Sequence, residues 1–282
     1  MNKPTPHWLH RRDVLRRMAL GLAAVPLAKL AGCDNDNGSS DVDGGLTGDG
    51  SGSAIDAPNG SGWASGGTVS MTDKGSYPDP FTGALSSCVV VASTTAGPCT
   101  TATDLVREDV SEGWTGIPVR LGLKVVSASC NPIANATVKI WHTNAPGVYS
   151  GQTPQPGFCS NNDQAAISMN YMRGVQTTNA DGVVYFDTCY PGWYPGRAIH
   201  IHFQVASGPT VYRVSQLFFP ENVTTEIFAN HVDYRAFGQP DRTFANDGVI
   251  APITGDARAR LVMDVARMTD GAMLASKVVT VM

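Results

Sequence analysis

Long apolar runs, a surplus of basic residues and closely paired cysteines are all missing from this 282-residue chain, and each absence removes a class of function. The apolar stretch over residues 18–28 is too short to cross a bilayer comfortably. Twenty Lys and Arg stand against 24 Asp and Glu, a net charge of −4, so there is no basic footprint for nucleic acid. No Cys-x-x-Cys occurs, which argues against a cysteine-held zinc or redox site. A Gly-x-Ser-x-Gly nucleophile elbow is absent, as are further clustered histidines, and this weighs against a hydrolase or a copper oxidase. Neither an internal repeat nor a Gly-rich phosphate loop is present. Helical periodicity is scarce, confined to residues 225–236 and 256–260.

What is present begins with an address. Arg11-Arg12-Asp13-Val14-Leu15-Arg16-Arg17 precedes the apolar stretch, and Leu30-Ala31-Gly32-Cys33 follows it. The paired arginines resemble a twin-arginine export signal, and Leu-Ala-Gly-Cys resembles a lipobox. Cleavage before Cys33 with lipid on its sulfur would leave the chain exported, periplasmic or on the cell surface, and held to a membrane. An ordinary cleaved signal with a coincidental cysteine is the alternative. Residues 34–67 hold six aspartates and no basic side chain among Gly, Ser and Asn, a composition that cannot build a core. The division expected is a signal peptide over 1–33, a flexible linker over 34–80 and a folded domain over 81–282. The remaining cysteines, Cys88, Cys99, Cys130, Cys159 and Cys189, are odd in number for an oxidising compartment. Two disulfides and one free thiol are expected, with the pairing open among 15 arrangements.

The expected domain reads as short alternating segments divided by turn chemistry. Val119, Leu121, Leu123 and Val125 share a face, and residues 137–141 alternate again after Cys130-Asn131-Pro132. Asn179-Ala-Asp181-Gly182 separates residues 175–178 from 183–187 as a hairpin turn, with glycine where positive φ is needed. Further strands are expected over 198–205, 211–219 and 277–281. The fold class is therefore all-β, an antiparallel β-sandwich with few short helices.

The chemistry concentrates in Tyr194-Pro-Gly-Arg197-Ala-Ile-His200-Ile-His202-Phe. On a strand His200 and His202 project together, about 7 Å apart at Cα, and one ion could bridge them. Ile199, Ile201, Phe203 and Val205 would fill the opposite, core face. An isolated His-x-His could equally be two surface histidines on a strand; here the neighbours decide. Upstream stands Trp141-His142-x-Asn144-Ala-x-Gly147-x-Tyr149-Ser150, then Arg173-Gly174-x-Gln176-Thr177-Thr178, the hairpin, Tyr190-Pro-Gly-Trp-Tyr194, Arg-x-x-His-x-His and Ser215-Gln216-Leu217-Phe218-Phe219. In this order the motifs, from 105 to 220, resemble the intradiol ring-cleavage dioxygenases, which include catechol 1,2-dioxygenases and protocatechuate 3,4-dioxygenases.

The resemblance implies a non-haem ferric ion, Fe(3+), held by Tyr149, Tyr194, His200 and His202. It further implies catalytic roles for Arg197, Gln216 and Tyr194. A catechol-type aromatic would bind as a dianion, displacing Tyr194, and O2 would be added between the two hydroxylated carbons to give a muconate-type acid. Arg197 would stabilise charge developing on the ring, and Gln216 would fix the guanidinium or polarise the oxygen pocket. The residue types suit this chemistry on their own terms, because a phenolate is a hard anionic donor and a cation stabilises its ionised form. Arg197 could instead pair with an acid such as Asp187, and His142 reads as a structural support. Only five residues separate Tyr194 from His200, shorter than in the catechol enzymes, which implies a more open site and a larger or substituted substrate. The competing reading is a surface-anchored β-sandwich binding module with a structural metal and no dioxygenase activity.

Overall fold

Apolar residues recur at every second position of Pro118–Val126, the spacing that gives an extended chain one dry face. The computed structural model describes residues 62–281, apart from 86, 103 and 104, and places a strand there, β1. It is followed by β2 (Thr137–Trp141), β3 (Arg173–Thr177), β4 (Val183–Cys189), β5 (His200–Ser207), β6 (Thr210–Phe218), β7 (Asp264–Arg267) and β8 (Met273–Thr280). The strands form two four-stranded sheets, in the orders β4-β1-β8-β7 and β3-β2-β5-β6. Between them lies one core, where Val119, Leu121 and Leu123 of β1 join Val138 and Ile140 of β2 and Ile201, Phe203 and Val205 of β5.

The all-β sandwich with few short helices needs one correction: it is not wholly antiparallel, since β1 and β8 run parallel. All of the second sheet lies between them in sequence, which supplies the long crossover a parallel pair requires. The helix expected over 225–236 runs instead over Glu221–Asn230, starting after an extended Pro220 and ending where His231 turns to ψ 133°. Residues near 256–260 form the short helix Gly255–Ala259. The exposed edge strand β7 had no periodic signal to announce it.

The expected signal peptide with Cys33, and residues 34–61 of the expected linker, lie outside the described residues. Residues 62–80 are not a free tether. Trp63 is buried and its Nε1–H donates to Glu226 at 2.9 Å; Gly67 N–H donates to the Gly116 carbonyl at 2.8 Å; the Tyr77 hydroxyl donates to Asp270 at 2.6 Å. A Gly- and Ser-rich composition hid the few side chains that anchor this segment. Among the described residues no helix is long and apolar enough to cross a membrane.

The five cysteines resolve into Cys88–Cys130, Cys99–Cys159 and a buried free Cys189. Burial pushes the Cys189 thiol up to about 12, so it is protonated and shielded. A thiol reagent is expected to leave Cys189 unmodified in the native protein and to label it on unfolding without reductant, read by mass spectrometry. Phe203→Ala is expected to lower unfolding free energy by about 3–5 kcal/mol, measured by denaturant titration.

Candidate metal centre

The pleat that sends Ile201 and Phe203 into the core turns His200 and His202 to the outer face of their sheet, where both are nonetheless buried. Strand register widens this face sideways. Arg173 pairs with Trp141, Trp141 with His202, and His202 with Gln216, so all four strands contribute to one transverse row. Trp141 stacks on His202, with ring centroids 4.9 Å apart and planes 6° from parallel, which fixes the imidazole's plane.

Three loops cover the row. One follows β2 and carries Tyr149; another precedes β5 and carries Tyr194. They meet backbone to backbone, because a Cβ on Gly147 (φ 80°) would lie 2.0 Å from the Trp193 carbonyl oxygen, and one on Gly192 would lie 2.0 Å from that of Ala145. The Gly192 N–H donates to the Asn144 carbonyl at 2.9 Å across the same contact. The third is the stretch around Thr94 to Gly97, where the Thr94 N–H donates to the Val214 carbonyl and the Gln216 amide donates to the Thr95 carbonyl, each at 3.1 Å. Disulfide Cys99–Cys159 ties this stretch to the tyrosine loop, since the Cys159 carbonyl accepts from the Tyr149 N–H at 2.9 Å.

Under these loops four side-chain atoms converge. His200 Nε2 lies 3.1 Å from His202 Nε2, 3.5 Å from the Tyr149 hydroxyl and 3.4 Å from the Tyr194 hydroxyl. His200 Nδ1 lies 2.6 Å from the Ala198 carbonyl, which fixes the proton on Nδ1 and leaves the Nε2 lone pair facing inward. Among the described residues His202 Nδ1 has no hydrogen-bond partner, so its ring is poorly satisfied as ordinary core. Donors bonded at about 2.1 Å to one ion stand about 3.0–3.4 Å from each other by trigonometry; the 3.1 and 3.4 Å spacings from His200 Nε2 fall in that range and the 3.5 Å spacing lies just beyond it. Among the described residues no three His, Cys, Asp or Glu side chains are grouped to hold a metal, so a metal here depends on tyrosine oxygen.

Burial governs the protonation of the whole cluster. It pushes His200 down to about 3 and His202 well below its ordinary value, so both imidazoles are neutral and free to ligate. It also raises both Tyr149 and Tyr194 above the ordinary phenol value. Without a cation the phenols therefore stay protonated, and only a strong positive charge among them would draw out the phenolates.

Arg197 stands beside the cluster, Nη1 being 3.5 Å from the Tyr194 oxygen. Its Nε donates to the fully buried Asp247 at 3.0 Å, and its Nη2 donates to Gln216 Oε1 at 2.5 Å. The pairing with Asp187 considered from sequence does not occur; Asp187 is held by Lys74 and Arg120, both at 2.6 Å. His142 is a support, as expected: buried on the core side, it contacts Thr188 Oγ1 and the Thr143 carbonyl, both at 2.8 Å. Every residue named for the site from sequence, Tyr149, Tyr194, Arg197, His200, His202 and Gln216, lies in this one cluster. Asp247 was missed because Asn246-Asp247-Gly248 reads as a turn, 50 residues from the arginine it holds. Trp141 and Arg173 carry no site role that the sequence motifs alone assign.

Two comparisons with known proteins bear on this arrangement. The family described as Dioxygenase matches residues 93–279, further in both directions than the motifs between 105 and 220. An intradiol ring-cleavage dioxygenase from Tetranychus urticae superposes with a TM-score of 0.61 at 25% identity, over 69% of this chain and 95% of that one. The dioxygenase domain of a carbohydrate-binding fusion from Streptomyces sp. SirexAA-E gives 0.49 at 21% identity, over 68% and 97%. Catechol 1,2-dioxygenase from Pseudomonas arvilla C-1 gives 0.44 at 21%, over 67% and 61%. No curated protein matches the chain.

Gly192→Ala is expected to force the two tyrosine loops apart, costing about 1–3 kcal/mol and lowering metal retention. Thermal unfolding and metal analysis of the purified variant check the two effects separately.

Proposed function

The chain belongs to the dioxygenase family, on its intradiol ring-cleaving branch, and from that premise we propose the following chemistry for its site. Tyr149, Tyr194, His200 and His202 would hold a non-haem ferric ion, and the substrate is a catechol-type aromatic opened between its two hydroxylated carbons with O2. The observation that carries this reading is the convergence of His202 Nε2 and two phenol oxygens within 3.5 Å of His200 Nε2. When bound, the ferric ion would draw electron density from a chelated catecholate and so open its ring carbons to dioxygen.

The remaining work falls to the chain's own residues. Tyr149 is buried and stays in place, whereas Tyr194 is only half-buried, beside the exposed Pro195 and Gly196. Tyr194 is therefore the ligand free to swing out and take a proton from an incoming catechol hydroxyl at its Oη. Arg197 is tied on its far side by Asp247 and Gln216, so its Nη1 edge is held toward the cluster, where it stabilises negative charge spreading over the ring. The clamp costs no reorganisation during reaction, because both partners are already in place. Burial of His200, His202 and Tyr149 keeps water from the reacting centre.

Substrate size follows from the opening. On the Tyr194 side Phe158 is 55% exposed and packs edge-on to Tyr194, with centroids 5.8 Å apart. An apolar ring at an open mouth suits a substituted or larger catechol better than catechol alone. The twin-arginine-like and lipobox-like motifs support a mature chain that would lie outside the cytoplasm, anchored to a membrane through lipid on Cys33. Two disulfides in the described residues support an oxidising compartment.

Tyr149→Phe and His202→Ala are each expected to purify without iron, by metal analysis. Arg197→Ala is expected to keep its iron while oxygen uptake with the best catechol of a panel falls about 100-fold. Iron loss from the Arg197 variant would contradict the role given to it. The product is expected to be a muconate-type dicarboxylic acid carrying both atoms of 18O2, by mass spectrometry.

A further inference from the structure

Arg173 is a second cation at the centre, and the chemistry above does not use it. It opens β3 opposite Trp141 in the row that ends at Gln216, and it is 3% exposed. All its hydrogen bonds go to uncharged acceptors. Nε donates to the Ser150 carbonyl at 2.9 Å and to Ser150 Oγ at 3.1 Å; Nη2 donates to the carbonyls of Cys99 and Ser150, both at 2.6 Å. Among the described residues Nη1 has no hydrogen-bond partner and no carboxylate pairs with this guanidinium. A buried guanidinium is retained at a cost unless an anion offsets it. The side chain facing it is Tyr149, whose ring centroid is 5.8 Å from Cζ.

We propose that Arg173 is a positioning residue of the metal centre, a fixed and uncompensated positive charge that faces the Tyr149 ring and offsets the negative charge of that ligand when metal is bound. The proposal rests on the reading of Tyr149 as a ligand. Its geometry has two parts. The carbonyl bonds to Ser150 and Cys99 clamp the guanidinium on both sides of the tyrosine loop, with Cys99 disulfide-bonded to Cys159. The charge itself is left uncompensated by any acid and faces the phenol ring. A mere strut would need the carbonyl bonds alone; an electrostatic partner needs the charge.

The test compares charge-conserving and neutral variants by the tyrosinate-to-iron charge-transfer band of iron-loaded protein. A nearby cation lowers the energy of the phenolate donor orbitals. Arg173→Met and Arg173→Gln are therefore expected to move the band to longer wavelength, and Arg173→Lys to leave it near the wild-type position. Far- and near-ultraviolet circular dichroism confirms that each variant is folded. A band unmoved in the neutral variants, or moved equally in Arg173→Lys, overturns the proposal. Failure of the lysine and both neutral variants to fold also overturns it, because that makes Arg173 a strut of the frame. A colourless iron-loaded wild type would sink the ligand reading beneath it, whereas a coloured wild type with unmoved variants sinks the Arg173 role alone.

Discussion

His200 and His202 sit two residues apart on β5, and the residues between and after them, Ile201 and Phe203, are wholly buried in the core between the sheets. That alternation is the constraint on which the site depends. A one-residue slip of β5 would send both imidazoles into the core and put isoleucine and phenylalanine in their place. The antiparallel pairings to β2 and β6 fix the register, and in fixing it they set Trp141 and Gln216 on either side of His202. The core thus positions the chemistry without containing it.

Electrostatics complete what register begins. The centre is dry enough that its imidazoles are neutral and its phenols protonated when no cation is present. It is flanked by two guanidiniums of different standing. Arg197 is neutralised along one edge by Asp247 and offers the other; among the described residues the Arg173 guanidinium hydrogen-bonds only to carbonyl and hydroxyl oxygen. Binding a trivalent cation would reverse the protonation of both phenols at once, so metal binding and the charge state of the site are a single event. Loop packing at Gly147 and Gly192 and the Cys99–Cys159 bridge hold the tyrosines where that event requires them.

Much of this was legible in the sequence, and for a definite reason. Period-two patterning on β1, β2 and β5 is a local signal, and a His-x-His on such a strand fixes its own face. The motif order around Tyr149, Tyr194 and Arg197 carried the rest of the donor set. What escaped was long-range or averaged out. The parallel β1–β8 pair joins segments from opposite ends of the domain. Asp247 reaches Arg197 from a turn whose local sequence gives no direction. Residues 62–80 shared the composition of a tether while Trp63 and Tyr77 fastened them down. Arg173 stood in plain view in its motif, yet neither its burial nor its lack of an acidic partner can be read from spacing.

The central claim is that two phenolates and two imidazoles share one ferric ion. Visible absorption of the iron-loaded wild-type protein tests it most directly. A broad tyrosinate-to-iron band that changes when a catechol is added is the predicted result. Protein that holds stoichiometric iron yet stays colourless would contradict the account.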